Sequence, residues 1–199
     1  MPRQPRFVEP GAYYHVTSRG NNRAPIQLDG IDCIAWETRL ARTVATFGWK
    51  VLGYVLMTNH FHLVLRLPDL GLSEGMRLLN GEYARDFNRR HGRENHLFGR
   101  RFWSKQIRSD AHLVQSLAYN DLNPLRGGLA DRPEAYRFSS HAPLVGLREA
   151  PAFLAVDEAL GLFALRGANA RARYRDYVRR GDIGRPDVGA PARARSPAR

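Results

Sequence analysis

An α+β fold built on a ferredoxin-like antiparallel sheet is predicted by three observations. Apolar patterning runs in the order strand, helix, strand, strand, helix, strand through residue 107. That is the split βαβ order, in which the strands form one sheet and helices pack on one face. At 199 residues with 43% hydrophobic side chains, the chain can bury a core of ordinary size. Beyond residue 107 a further helical pattern follows, residues 166–180 read as a second, arginine-rich helix, and the composition then drifts toward Arg, Ala, Gly and Pro, which marks off an extension and a tail.

Each element has a local signal. Ala12–Ser18 is aromatic and β-branched, and it runs into the turn residues Arg19-Gly20-Asn21-Asn22-Arg23, as a strand ending in a turn does. From Ile31 to Phe47 apolar residues recur at helical spacing, and Gly48 closes the run. Trp49–Met57 and Phe61–Leu67 are apolar runs separated by Thr58-Asn59-His60, a hairpin pattern. Leu72–Arg90 carries Met76, Leu79, Tyr83 and Phe87 on one helical stripe, which makes Tyr83 a core residue. A loop at His91–His96 leads to a strand at Arg101–Ile107. Ala111–Leu122 reads as a helix stopped by Asn123-Pro124, because proline disfavours helical geometry in the residue before it. The resulting division is a domain over residues 1–146, a helical extension over 147–180 and a disordered basic tail over 181–199.

Charge narrows the function. The net charge is +12, and only Lys50 and Lys105 among the 31 basic residues are not arginine. Arginine grips phosphates with a planar, bidentate fork, so a polyanionic partner is expected. Cys33 is the only cysteine, which excludes an intrachain disulfide and a cysteine-based zinc finger. With no long apolar run and no signal-like N-terminus, the expected place is the cytoplasm, at the nucleoid. Residues 85–108 hold eight basic side chains against Asp86 and Glu94, interleaved with Phe87, His96, Phe98, Phe102 and Trp103. Cations for the backbone and rings for unstacked bases make a single-strand groove, which nominates Arg89, Arg90, Arg100, Arg101, Lys105 and Arg108. Arg19, Asn21, Asn22 and Arg23, after the first strand, form a second candidate DNA surface. The alternative for these segments is a solvated basic helix with core aromatics.

Two constellations carry potential chemistry. In His60-Phe61-His62 strand alternation sends both imidazoles to one face, where they make a pair of divalent-metal ligands. Alone, the pair reads as readily as structural histidines. On the helix before Pro124, His112, Gln115, Tyr119 and Asn123 share a polar stripe beside the apolar Leu113, Leu117 and Leu122. Asn123, one turn beyond Tyr119, can offer a carbonyl oxygen to an ion held by the histidines. The alternative is a packing tyrosine and a capping asparagine.

Three motifs in this order resemble a known family: Tyr14-His15-Val16-Thr17-Ser18-Arg19-Gly20-Asn21-Asn22-Arg23, Met57-Thr58-Asn59-His60-Phe61-His62-Leu63-Val64, and Tyr119-Asn120-Asp121-Leu122-Asn123-Pro124-Leu125-Arg126-Gly127-Gly128. They are similar to the single-tyrosine transposases of the HUH endonuclease superfamily, most of all to the REP-associated branch, whose pattern extends to Tyr136-Arg137-Phe138-Ser139-Ser140-His141. The resemblance implies a ferredoxin-like fold, Mg2+ or Mn2+ on His60, His62 and Asn123, and Tyr119 as nucleophile. It implies cleavage and rejoining of single-stranded or hairpin, REP-like DNA through a 5′-phosphotyrosine. It also implies a monomer, with a dimer as the alternative. A binding module that has lost catalysis is the competing expectation.

Overall fold

The computed structural model describes residues 8–69, 71–164 and 169–181. Four strands, β1 (Tyr13–Arg19), β2 (Lys50–Leu56), β3 (His60–Arg66) and β4 (Trp103–Ile107), form one sheet in the order β2-β3-β1-β4, and every neighbouring pair is antiparallel. The expected ferredoxin-like sheet is therefore present. Helices α1 (Gly30–Phe47) and α2 (Leu72–Arg90) connect β1 to β2 and β3 to β4. Asp29 caps α1 by accepting from the backbone N–H of Ile31 and Asp32, and Gly48 closes the helix in the left-handed conformation. These serve the orphan N–H groups of the first turn and the turn-out after the last.

Right-handed crossovers put α1 and α2 on the same face. There Phe61 packs against Trp36 of α1, the two ring centres 5.0 Å apart, and neither residue is exposed to solvent. Burial of a side chain such as Phe61 contributes about 1.5–3 kcal/mol. Tyr83 is fully buried as expected, its hydroxyl donating to the Ile26 carbonyl.

The expectation of helices on one face holds for α1 and α2 only. Helix α3 (Asp110–Arg126) follows the last strand, so no crossover constrains it, and it covers the opposite face of β2 and β3. Consecutive residues of β2 show this. Tyr54 meets Trp36 of α1, whereas a Cβ at Gly53 would sit 2.7 Å from Leu117 and 3.9 Å from Asn120 of α3. Helix α3 also runs through Asn123-Pro124 to Arg126 instead of stopping at Leu122. Proline removes a single intrahelical bond, and in the final turn Gly127 and Leu129 still donate to the carbonyls of Asn123 and Pro124. The extra turn keeps Asn123 and Arg126 on the same helix as Tyr119.

The chain after α3 covers the β2 edge. Ser139 bridges Val55 and Leu154 bridges Val51, which occupies backbone groups that an open edge strand would offer to another chain. Helices α4 (His141–Leu144), α5 (Val156–Leu160) and α6 (Ala170–Arg180) follow; the helix expected in the extension is α6. The tail expected to be disordered, 181–199, lies outside the described residues apart from Gly181.

Gly75 on α2 leaves room for the Trp49 indole, since a Cβ there would fall 2.2 Å from the ring. Gly75→Ala is expected to destabilise the fold by about 1–3 kcal/mol through overpacking, despite alanine's helix preference, and urea unfolding will measure it.

Candidate active site

The α3 face of the sheet is where the expected chemistry gathers. Antiparallel register sets Thr17 of β1 opposite His62 of β3 and Trp103 of β4, Arg19 opposite His60, and His15 opposite Lys105. Paired residues share a face, so His15, Thr17, Arg19, His60, His62, Trp103 and Lys105 form one array. Helix α3, capped by Ser109 accepting from the His112 N–H, lays Tyr119 across it. Its ring centre lies 5.6 Å from that of His62 and 6.2 Å from that of His15.

The histidine pair is orientated from behind. Asn59 donates through Nδ2 to the Arg23 carbonyl at 3.0 Å, which turns its Oδ1 toward His60 Nδ1 at 2.7 Å. A carbonyl oxygen only accepts, so His60 carries its proton on Nδ1 and keeps a lone pair on Nε2. His62 Nδ1 lies 2.8 Å from Thr17 Oγ1 and 2.9 Å from His15 Nε2. Its Nε2 is buried without a partner. In the tautomer that donates from Nδ1, Nε2 is a second lone pair, and such back-side hydrogen bonds are how proteins fix metal-ligating imidazoles. Burial pushes the imidazolium form of each ring down: His15 to about 3, His60 to about 4, and His62 well below the ordinary value. The Arg19 charge adds to the effect at His60 and His62. All three rings are neutral at physiological pH, the state a ligand needs.

Tyr119 is half-buried, and among the described residues its hydroxyl makes no hydrogen bond. The Arg126 guanidinium stands over its ring, 5.1 Å from the centre. Asn123 donates through Nδ2 to the Tyr119 carbonyl at 3.0 Å, which leaves Oδ1 outside that bond. Among the described residues no three His, Cys, Asp or Glu side chains gather as a metal site. His15, Thr17 and Arg126 were not expected. The period of two on β1 and the spacing of seven from Tyr119 were the signals available.

Residues 9–115 match the family described as Transposase IS200 like, more than half of the chain. The chain belongs to the IS200-like transposase family. A REP-associated tyrosine transposase of Haemophilus influenzae is 26% identical to it over 145 residues, which is 67% of this chain and 81% of that protein. A solved REP-associated tyrosine transposase bound to a REP hairpin has the same fold, with a TM-score of 0.62 at 18% identity over 85% of this chain and 98% of that one. The family match takes in both histidines and ends at residue 115, before Tyr119.

In this IS200-like transposase the candidate DNA-binding residues divide between the two faces. Arg19 lies on the tyrosine face with Nε buried and unpartnered, and Lys105 shares that face. Asn21, Asn22 and Arg23 form the turn whose last carbonyl holds Asn59, with Asn22 and Arg23 in the left-handed region. Arg90 is committed elsewhere: it binds Asp29 and Asp32 at 2.6 and 2.5 Å, tying α2 to the start of α1. Arg89 pairs with Asp86 at 2.8 Å. Arg100 and Arg108 are exposed. Arg101 joins Arg77, Arg85, His96, Phe98 and Phe102 around a groove of about 690 Å3 between α2 and the 94–102 loop. Asn80, also in its lining, bonds Ser18, which puts the groove on the α1/α2 face. The basic segment thus serves both sides of the sheet.

These histidines set an acid limit for this IS200-like transposase. An unfolded chain takes up their protons near pH 6.5, whereas the folded chain resists until about 4 at His60 and about 3 at His15. Stability conferred by the neutral rings is therefore full above pH 6.5 and is lost as pH falls toward 4. Tm measured against pH with chelator present is expected to fall over that window, and His15→Gln should shallow the slope.

Proposed function

We propose that this transposase cleaves and rejoins single-stranded, hairpin-bearing DNA of the REP type at the nucleoid, with Tyr119 as nucleophile. The observation that carries the reading is the Tyr119 ring lying against His62, whose Nε2 is buried with nothing to bind. A buried imidazole nitrogen beside a phenol has a purpose if it holds the counter-ion of a phosphate under attack. That the structural relative is bound to a REP hairpin supports the choice of substrate.

The chain's own groups divide the work. Tyr119 Oη, on losing its proton, attacks the phosphorus. The new bond is Tyr–O–P to the 5′ phosphate, the bond to the 3′ oxygen breaks, and that oxygen takes up a proton. The phosphodiester's energy remains in the phosphotyrosine, so a 3′ hydroxyl can reverse the step without ATP. Arg126, its guanidinium stacked over the ring, holds the phenol in place against the array. Arg19, with an unspent N–H beside the histidines, is placed to grip a non-bridging oxygen. His60 Nε2, His62 Nε2 and Asn123 Oδ1 suit Mn2+ or Mg2+, which when bound polarises the phosphate and offsets charge on the leaving oxygen. Two imidazoles favour manganese of the two.

The direct test incubates the protein with a labelled REP-like hairpin and Mn2+ and separates covalent adducts under denaturing conditions. An adduct is expected with the wild type and not with Tyr119→Phe; an adduct that survives the substitution overturns the reading. His60→Ala and His62→Ala should abolish cleavage while hairpin affinity stays within a few-fold. In the groove, Arg101→Ala is expected to lower the slope of log affinity against log salt by about 0.7, one single-strand phosphate contact.

A further inference from the structure

Beyond Tyr119, helix α3 makes a long-range polar commitment of its own. Two positions on, Asp121 is fully buried. Its Oδ2 accepts from the Tyr174 hydroxyl of α6 at 2.5 Å and from His141 Nδ1 of α4 at 2.7 Å. Ser140 Oγ lies 3.4 Å from Oδ1 and also accepts from the Tyr54 N–H of β2 at 3.0 Å. Tyr174 and His141 are buried as well, and burial beside the carboxylate holds the Tyr174 phenol well above its ordinary range, so it remains a donor. The cluster stands apart from the histidine pair, and strand cleavage as described above makes no use of it.

Helical geometry links the cluster to the nucleophile. At 3.6 residues per turn, positions two apart point about 200° around the axis from each other. Tyr119 therefore faces the sheet array while Asp121 faces the segments that follow α3, and any roll of α3 moves both. Apolar packing tolerates small rolls, but a buried carboxylate with directional donors does not, because losing one donor leaves charge unsatisfied away from water. We propose that Asp121 is a positioning residue for strand cleavage, fixing the rotation of α3 and hence the approach of Tyr119 through Tyr174 and His141. This rests on Tyr119 being the nucleophile. It ties α6, more than fifty residues along the chain, to the placing of Tyr119.

The test is Tyr174→Phe, which keeps the ring against Phe163 and His141 and removes only the donor. Single-turnover adduct formation is measured on a saturating REP-like hairpin with Mn2+, at a temperature where circular dichroism shows the variant fully folded. Misplacement by about 1 Å costs on the order of a hundred-fold in rate, and a loss of that order with unchanged hairpin affinity is expected. With 3-fluorotyrosine at position 119, the 19F resonance should shift or broaden in the variant, which a purely stabilising cluster would not cause. His141→Asn, which retains a donor near the Nδ1 position, should keep the rate within a few-fold, whereas His141→Leu should lose it; this pair decides the matter if Tyr174→Phe does not fold. An unchanged rate in the folded variant, or a loss of affinity that matches the loss of rate, overturns the proposal. Absence of adduct from the wild type, or its persistence in Tyr119→Phe, overturns the nucleophile reading instead, and the two failures are thereby told apart.

Discussion

The pairing of β1 with β3 is the constraint on which the site depends. Thr17 stands opposite His62 and Arg19 opposite His60, and His15 reaches His62 Nδ1 diagonally. A slip of one residue would send the histidines among Trp36 and the other rings of the α1/α2 core and bring Phe61 to the surface of the array. The apolar alternation of Phe61, Leu63 and Leu65, all fully buried, forbids that slip. Ordinary core packing thus aims the imidazoles, and a threonine and a third histidine fix which nitrogen is presented.

The sheet consequently has two unlike faces. One carries α1, α2 and most of the large buried side chains. The other carries a polar array roofed by α3, admitted to the sheet by the absence of a side chain at Gly53. The chain after α3 clamps this roof from outside and closes the β2 edge in passing. Arginine divides in the same way. Arg39 and Arg90 join α1 to α2 through Asp86, Asp29 and Asp32, whereas Arg19 and Arg126 stand at the array.

The order of elements along the chain, α1 and α2, the shared face of His60 and His62, and the placing of Tyr119 near His62 were legible in the sequence. They follow from periodicity and from three motifs in sequence. What was not legible depended on pairing. His15 and Thr17 looked like residues of a strand of no special interest until register set them behind His62. Arg90 looked like a DNA contact until α1 supplied two aspartates for it. Helix α3 outran its expected end because a single missing N–H in a final turn is tolerated. Asp121, Asn120 and His141 gave no sign of burial, since polar residues in a helix or loop are exposed by default and only tertiary neighbours reverse that.

The distance along the chain between Asp121 and Tyr174 has a bearing on timing. Domains form from the N-terminus as synthesis proceeds, so the sheet, the histidines and Tyr119 emerge well before the final donor to Asp121. The phenol is present in the nascent chain long before the helix bearing it is locked. Whatever α6 contributes, it contributes last, and a partly made chain holds the components of the site without the clasp that joins the end of the described structure to its middle.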